Sequence, residues 1–187
     1  MCCSSVGQIV FGIVMFACFC LTLGAMFSPE WRTFKDDLDD TAKDLDVHSG
    51  IFSFNCRMPG KEEGSCDDWW DNLHTWEKVT VTCMCLALVT EILCLAWNLI
   101  TFCACCCKQY IIHPLSLFAT LVSLFLGVAV IVYGANNKDA FKDLKWKAPD
   151  ESSEVGYSFY LAVAAVVLSV FDIFVAGITV FFAKKCL

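Results

Sequence analysis

The sequence predicts an all-α membrane bundle, four transmembrane helices with a small antiparallel β-sheet on one side. Three observations predict it. Of 187 residues, 58% are apolar and 18% are charged, against about 45–50% and about 25% in a soluble domain. The apolar residues gather in four blocks, 6–27, 79–103, 115–135 and 157–183, which hold 95 of the 187 residues. Each block meets the roughly 20 residues that a helix needs to cross a bilayer core. Between the first two blocks lies a long polar loop with short stretches that alternate apolar and polar residues, as half-buried strands do. Together these exclude a soluble globular enzyme, a nucleic-acid-binding domain and a disordered chain.

The first block has no Lys or Arg before it and exceeds the usual 7–15 residues of a signal-peptide core, so it reads as a mature helix. The whole of 1–187 then forms one tetraspan domain, with both ends on one side of the membrane. The other side carries loops 28–78 and 136–156. Basic residues do not orient the chain. The side with the termini has three of them, Lys108, Lys184 and Lys185, in 20 residues, and the loop side has ten in 72, nearly equal densities under the positive-inside rule.

Cysteine orients it. Of fourteen cysteines only Cys56 and Cys66 lie in the two loops, with nine residues between them. An isolated pair of this kind reads as a disulfide, which persists outside the cytosol and would stabilise by about 2–3 kcal/mol on the chain-entropy model. The opposite side carries Cys2, Cys3, Cys103, Cys105, Cys106, Cys107 and Cys186 at helix ends. Cytosolic cysteines at the membrane edge are the usual targets of S-palmitoylation. The expected orientation is therefore a plasma-membrane protein with cytosolic termini and extracellular loops.

In the first loop, Trp31-Arg32-Thr33-Phe34 and Phe52-Ser53-Phe54-Asn55-Cys56 have strand-like composition, and Pro59-Gly60 marks a turn between the cysteines. Ser65 with Asp68 resembles a helix start leading towards Trp69, Trp70 and Trp76, and tryptophans suit the membrane interface. Leu144-Lys145-Trp146-Lys147 could add a further strand. The loop holds thirteen acidic and six basic residues, a net charge of −7. Such a run is usually solvated surface; the alternative is an electrostatic device, because acidic rings select cations.

The order Trp31, Gly50-Ile51-Phe52, Cys56 and Cys66, in a first loop larger than the second, resembles the claudin, peripheral myelin protein and calcium-channel gamma-subunit superfamily, and is most like a divergent claudin. The family pattern is Trp, then Gly-Leu-Trp-x-x-Cys, then a second Cys. Here Ile51 and Phe52 replace Leu and Trp, and three residues separate Phe52 from Cys56. The Arg that claudins often carry before the second span is replaced by Trp76-Glu77-Lys78, and only four residues follow the last block. The resemblance implies a left-handed four-helix bundle, a five-stranded outer sheet, and a role in cell–cell contact, with a paracellular barrier or cation-selective permeability. It implies partners in the same and the facing membrane, itself or related tetraspans. Within the same superfamily the alternatives are an auxiliary subunit of an ion channel or receptor pore, or a membrane-organising tetraspan of the peripheral myelin type. Asp67 directly follows the second loop cysteine, where channel-forming claudins carry an acidic residue that sets cation preference. Asp68 and Asp71 would add to the same field.

Inside the spans, Glu91 and Asp172 are acidic, and no Lys or Arg lies in any span to pair with them. Carboxyls at bilayer depth are costly and are functional candidates. They could share a proton across the bundle. The plainer reading is that each is protonated and hydrogen-bonded, with Asn98 a polar neighbour of Glu91. Ala119, Ser123 and Gly127 repeat every four residues in the third block, a spacing that lets helices approach closely within the chain or across an oligomer seam. Cys103 and Cys106 make C-x-x-C, but the nearest His is His113, so no redox or metal site is expected. Lys184-Lys185 reads as a basic anchor at an anionic leaflet or as a dilysine retrieval signal. With no nucleophile–base pair and no ligand cluster, neither catalysis nor a cofactor is expected. The bilayer is the one certain partner, and nucleic acid is not one.

Overall fold

Four helices follow from the four apolar blocks, and each runs past its block. The computed structural model describes residues 2–29, 31–34, 47–49, 70, 73–103, 113–136 and 156–185. Helix α1 is Cys2–Phe27, α2 is Thr75–Cys103, α3 is His113–Asn136 and α4 is Tyr157–Lys185. At about 1.5 Å per residue, their lengths of 24–29 residues exceed a hydrocarbon core of about 30 Å. The helix α2 starts four residues before its apolar block. There the His74 backbone N–H donates to Glu77 Oε2 at 2.9 Å, so a carboxylate in the first turn satisfies a donor that the helix leaves unpaired. The helix start expected at Ser65–Asp68 lies outside the described residues.

The bundle is a closed ring. Helix α1 packs on α2 and α4, and α3 packs on the same two helices. Its interior mixes small and polar side chains with a few large ones such as Phe11, Met15, Met84 and Leu126, and many large apolar side chains face outward. Ala25, Ala87, Ala119, Ala129, Ala162, Ala165 and Ala176 are buried, while Ile13, Leu99, Ile131, Phe174 and Phe181 are exposed. A soluble bundle has the reverse pattern, because water would drive those side chains inward. In lipid, packing of small residues and polar contacts holds helices together instead. All four helices are long and apolar enough to cross a membrane, with mean hydropathy of 2.2–2.6 over the best windows.

Helices α1 and α4 approach closely at Gly7. A Cβ there would stand 2.5 Å from Thr179 Oγ1 and 3.2 Å from Thr179 Cβ. Thr179 cannot swing aside, since it is β-branched and its hydroxyl donates to the Val175 carbonyl at 2.8 Å. Gly7→Ala gains about 1 kcal/mol of helix propensity and loses about 1–3 kcal/mol to overpacking. The expected result is a lower midpoint of thermal unfolding in mild detergent. An unchanged or raised midpoint would show that the helices separate freely here.

Among the small residues of α3, Ala119 is fully buried, but a Cβ on Gly127 would meet nothing within 4 Å. The four-residue repeat is therefore a contact at one end and open at the other. After α1 the chain forms strand β1, Arg32–Phe34, which pairs antiparallel with β2, Val47–Ser49, in the register Arg32↔Ser49, Thr33↔His48 and Phe34↔Val47. The strands expected at 52–56 and 144–147 lie outside the described residues, so a wider sheet and the hand of the bundle remain expectations.

Candidate functional site

Two clusters stand out, one where the outer segment meets the helix ends and one inside the bundle. The first centres on Trp31, 2% exposed. Its Nε1–H donates to the Ala25 carbonyl at 2.5 Å. Ala25 is in the last turn of α1, whose final carbonyls have no partner within the helix, so the indole closes that end. The backbone carbonyl of Trp31 in turn accepts from the Tyr133 hydroxyl at 2.6 Å. Tyr133, near the end of α3, is the hub of the cluster. Its ring lies 4.9 Å from Trp31 and 5.8 Å from Trp76 of α2, both edge-on, and 5.5 Å from Phe159 of α4. Edge-to-face pairs at such separations contribute about 0.5–1.5 kcal/mol beyond their buried area. Tyr133 thus holds the segment that leaves α1, and Trp76 of α2 and Phe159 of α4 pack on the Tyr133 ring.

The second cluster is polar. Glu91 is fully buried on α2. Its Oε1 accepts from Thr22 Oγ1 at 2.9 Å and from Cys18 Sγ at 3.3 Å, both on α1. Cys18 Sγ also lies 3.3 Å from the Ala165 carbonyl of α4, so one thiol touches three helices. Asp172 of α4 is fully buried as well, and neither of its carboxyl oxygens has a partner among the described residues. Cys18 and Cys94 each lie within electrostatic reach of both carboxyls. Asn98, expected beside Glu91, turns elsewhere. Its Nδ2 donates to the Gln8 carbonyl at 3.3 Å. Gln8 Nε2 reaches Thr101 Oγ1 at 3.5 Å, and Thr101 Oγ1 donates to the Asn98 carbonyl at 2.8 Å. The result is a clasp between α1 and α2, separate from Glu91.

Of the residues singled out in the sequence, Trp31, Trp76, Glu91, Asn98, Ala119 and Asp172 are among those with described surroundings. Helices cover Cys2, Cys3 and Cys103 in their backbone. Gly50, Ile51, Phe52, Cys56, Cys66, Asp67, Asp68, Asp71, Cys105, Cys106, Cys107 and Cys186 lie outside the described residues. Among the described residues no group of three or more His, Cys, Asp or Glu could hold a metal ion. The sequence reading missed Tyr133, Thr22, Cys18 and Gln8. A Tyr at the end of an apolar block was a usable signal, and so was a lone Gln within one. Nothing in the order of residues marks Thr22 or Cys18 as partners of Glu91.

The structure thus holds Trp31, the first residue of the sequence motif, where the first loop leaves α1. A profile described as "Tight junction protein, Claudin-like" matches residues 1–187. The chain belongs to this claudin-like tight junction family. No curated protein matches the chain significantly. With four long apolar helices, this claudin-like protein is a multi-pass membrane protein, and the bilayer is its surroundings. In it, the clamp on Trp31 ties the chain that follows α1 to the ends of α1 and α3.

Proposed function

We propose that this claudin-like protein acts in cell–cell contact and forms a paracellular barrier that favours cations. The observation that carries the reading is the match of a tight junction family to the entire sequence. The charge of the first loop, −7 over residues 28–78, gives it a direction, since a net-negative surface concentrates cations. Asp67, with Asp68 and Asp71, is the candidate selectivity group. A carboxylate in a narrow, partly dehydrated path attracts a cation more strongly than one in bulk water, because the effective dielectric is lower. The loops face outward and the termini inward on this reading, and the partners are further copies or related tetraspans in the same and the facing membrane.

A tagged copy in polarised monolayers tests the role. Strand-like enrichment at cell contacts is the expected result. Diffuse surface distribution, with stoichiometric recovery of a channel pore subunit in mild detergent, would replace the reading with that of an auxiliary subunit. The orientation has its own test. Non-reduced peptide mapping of surface-delivered protein should find Cys56 joined to Cys66. Finding both thiols open to alkylation would remove the main support for placing the loops outside.

A further inference from the structure

We propose that the bundle interior is a proton-binding site, with the proton on Glu91 Oε1 and a hydrogen-bond chain running from it through Thr22 and Cys18 to α4. Hydrogens are in short supply around this carboxyl. Thr22 Oγ1 lies 2.9 Å from Glu91 Oε1 and 3.1 Å from the Cys18 carbonyl. Cys18 Sγ lies 3.3 Å from Glu91 Oε1 and 3.3 Å from the Ala165 carbonyl. A hydroxyl and a thiol carry one hydrogen each, so two hydrogens face four contacts. An ionised Glu91 draws both, and the two backbone carbonyls lose theirs.

One added proton removes the shortage. Glu91 Oε1–H donates to Thr22 Oγ1, the Thr22 hydroxyl donates to the Cys18 carbonyl, and the Cys18 thiol donates to the Ala165 carbonyl. The Thr22–Glu91 contact keeps its length and reverses its direction. Each hydrogen then has one acceptor, and three helices are joined in sequence, α2 to α1 to α4. Hydrogen bonds linked in this way polarise and strengthen one another. Glu91 Oε2, buried without a donor among the described residues, becomes a plain carbonyl oxygen, which costs less to bury than half of a carboxylate.

Burial and charge agree with the count. Glu91 is fully buried. Helices α1 to α4 cover all four apolar blocks, and no Lys or Arg lies in any block. Cys18 of α1 and Cys94 of α2 are within electrostatic reach of Glu91, and Asp172 of α4 is within reach of the same two thiols. Helix α3 has no titratable residue from 114 to 132. None of these groups is a cation, so an ionised Glu91 would be an unpaired buried charge, which a protein avoids by binding a proton. A metal ion is the other neutralising partner, and among the described residues no group of three or more His, Cys, Asp or Glu could hold one. The inference does not depend on the barrier reading.

Infrared spectroscopy of the full chain in phosphatidylcholine nanodiscs at neutral pH tests it. Exposed carboxyls are ionised there, so acid carbonyl bands report buried, protonated groups. Isotope labelling of the glutamate carboxyls should shift one acid band in the unaltered chain. Glu91→Gln should delete that band and no carboxylate band. Thr22→Val takes away the acceptor of the acid O–H and should move the band to higher frequency. The thiol stretch that Cys18→Ser deletes should keep its frequency in Glu91→Gln, because that thiol donates to Ala165. The proposal is overturned if glutamate labelling shifts no acid band, if Glu91→Gln deletes a carboxylate signal, or if the thiol stretch moves with Glu91→Gln. An acid band that Thr22→Val leaves in place also overturns it. So does a Glu91 carboxylate signal that changes when Na⁺ is exchanged for K⁺, which would put a metal ion in the place of the proton.

Discussion

Trp31→Ala should lower the stability of the bundle by about 3–5 kcal/mol, the usual cost of emptying a buried aromatic site. The indole is 2% exposed and packs edge-on against Tyr133 at 4.9 Å. Its loss also frees the Ala25 carbonyl at the end of α1. Trp31→Phe keeps an aromatic body and loses the N–H, so it should cost less. Tyr133→Phe keeps the ring stack and loses the hydroxyl that donates to the Trp31 carbonyl, at about 1 kcal/mol. Thermal unfolding in mild detergent ranks the three variants. A Trp31→Ala change within about 0.5 kcal/mol, the scale of an ordinary surface substitution, would show that the aromatic cluster does not hold the outer segment.

Asp172→Leu should stabilise the bundle by about 1–3 kcal/mol, because both carboxyl oxygens are buried and neither has a partner among the described residues. Glu91→Leu should do the opposite. It removes the acceptor that Thr22 and Cys18 share, while Glu91→Gln keeps an oxygen in that place and should be nearly neutral. Opposite signs at two buried acids separate a structural carboxyl from one kept at a cost to stability, and costs of the second kind are typical of functional positions. Loss of stability in Asp172→Leu would mean that Asp172 has a stabilising contact after all.

The four spans were legible in the sequence because a bilayer demands long apolar runs, and Leu, Ile, Val and Phe in such density have no other use. The block limits fell within four residues of the spans in the structure. Strand β2 was not legible. Val47-His48-Ser49 follows an acidic run, is only three residues long, and carries one β-branched residue, so its pairing depends on β1 rather than on its own propensity. Glu91 was legible as a residue and illegible as a contact. Asn98 lies seven positions on and on the same face, which made it the expected neighbour. Which α1 side chain faces Glu91 depends on the rotation of α1 in the ring, and an all-round apolar helix does not encode that rotation. Trp31 was found through its motif, whereas Tyr133 gained its role only from the end-to-end arrangement of three other elements.

Dilution potentials across an epithelial monolayer expressing the chain test the proposed role most directly. The account predicts that the unaltered protein raises the permeability of Na⁺ relative to Cl⁻. Asp67→Asn should reduce that preference, and Asp67→Lys should reduce it further or reverse it. An Asp67→Lys protein that reaches the junction normally and leaves the Na⁺/Cl⁻ ratio where the unaltered protein sets it would contradict the account.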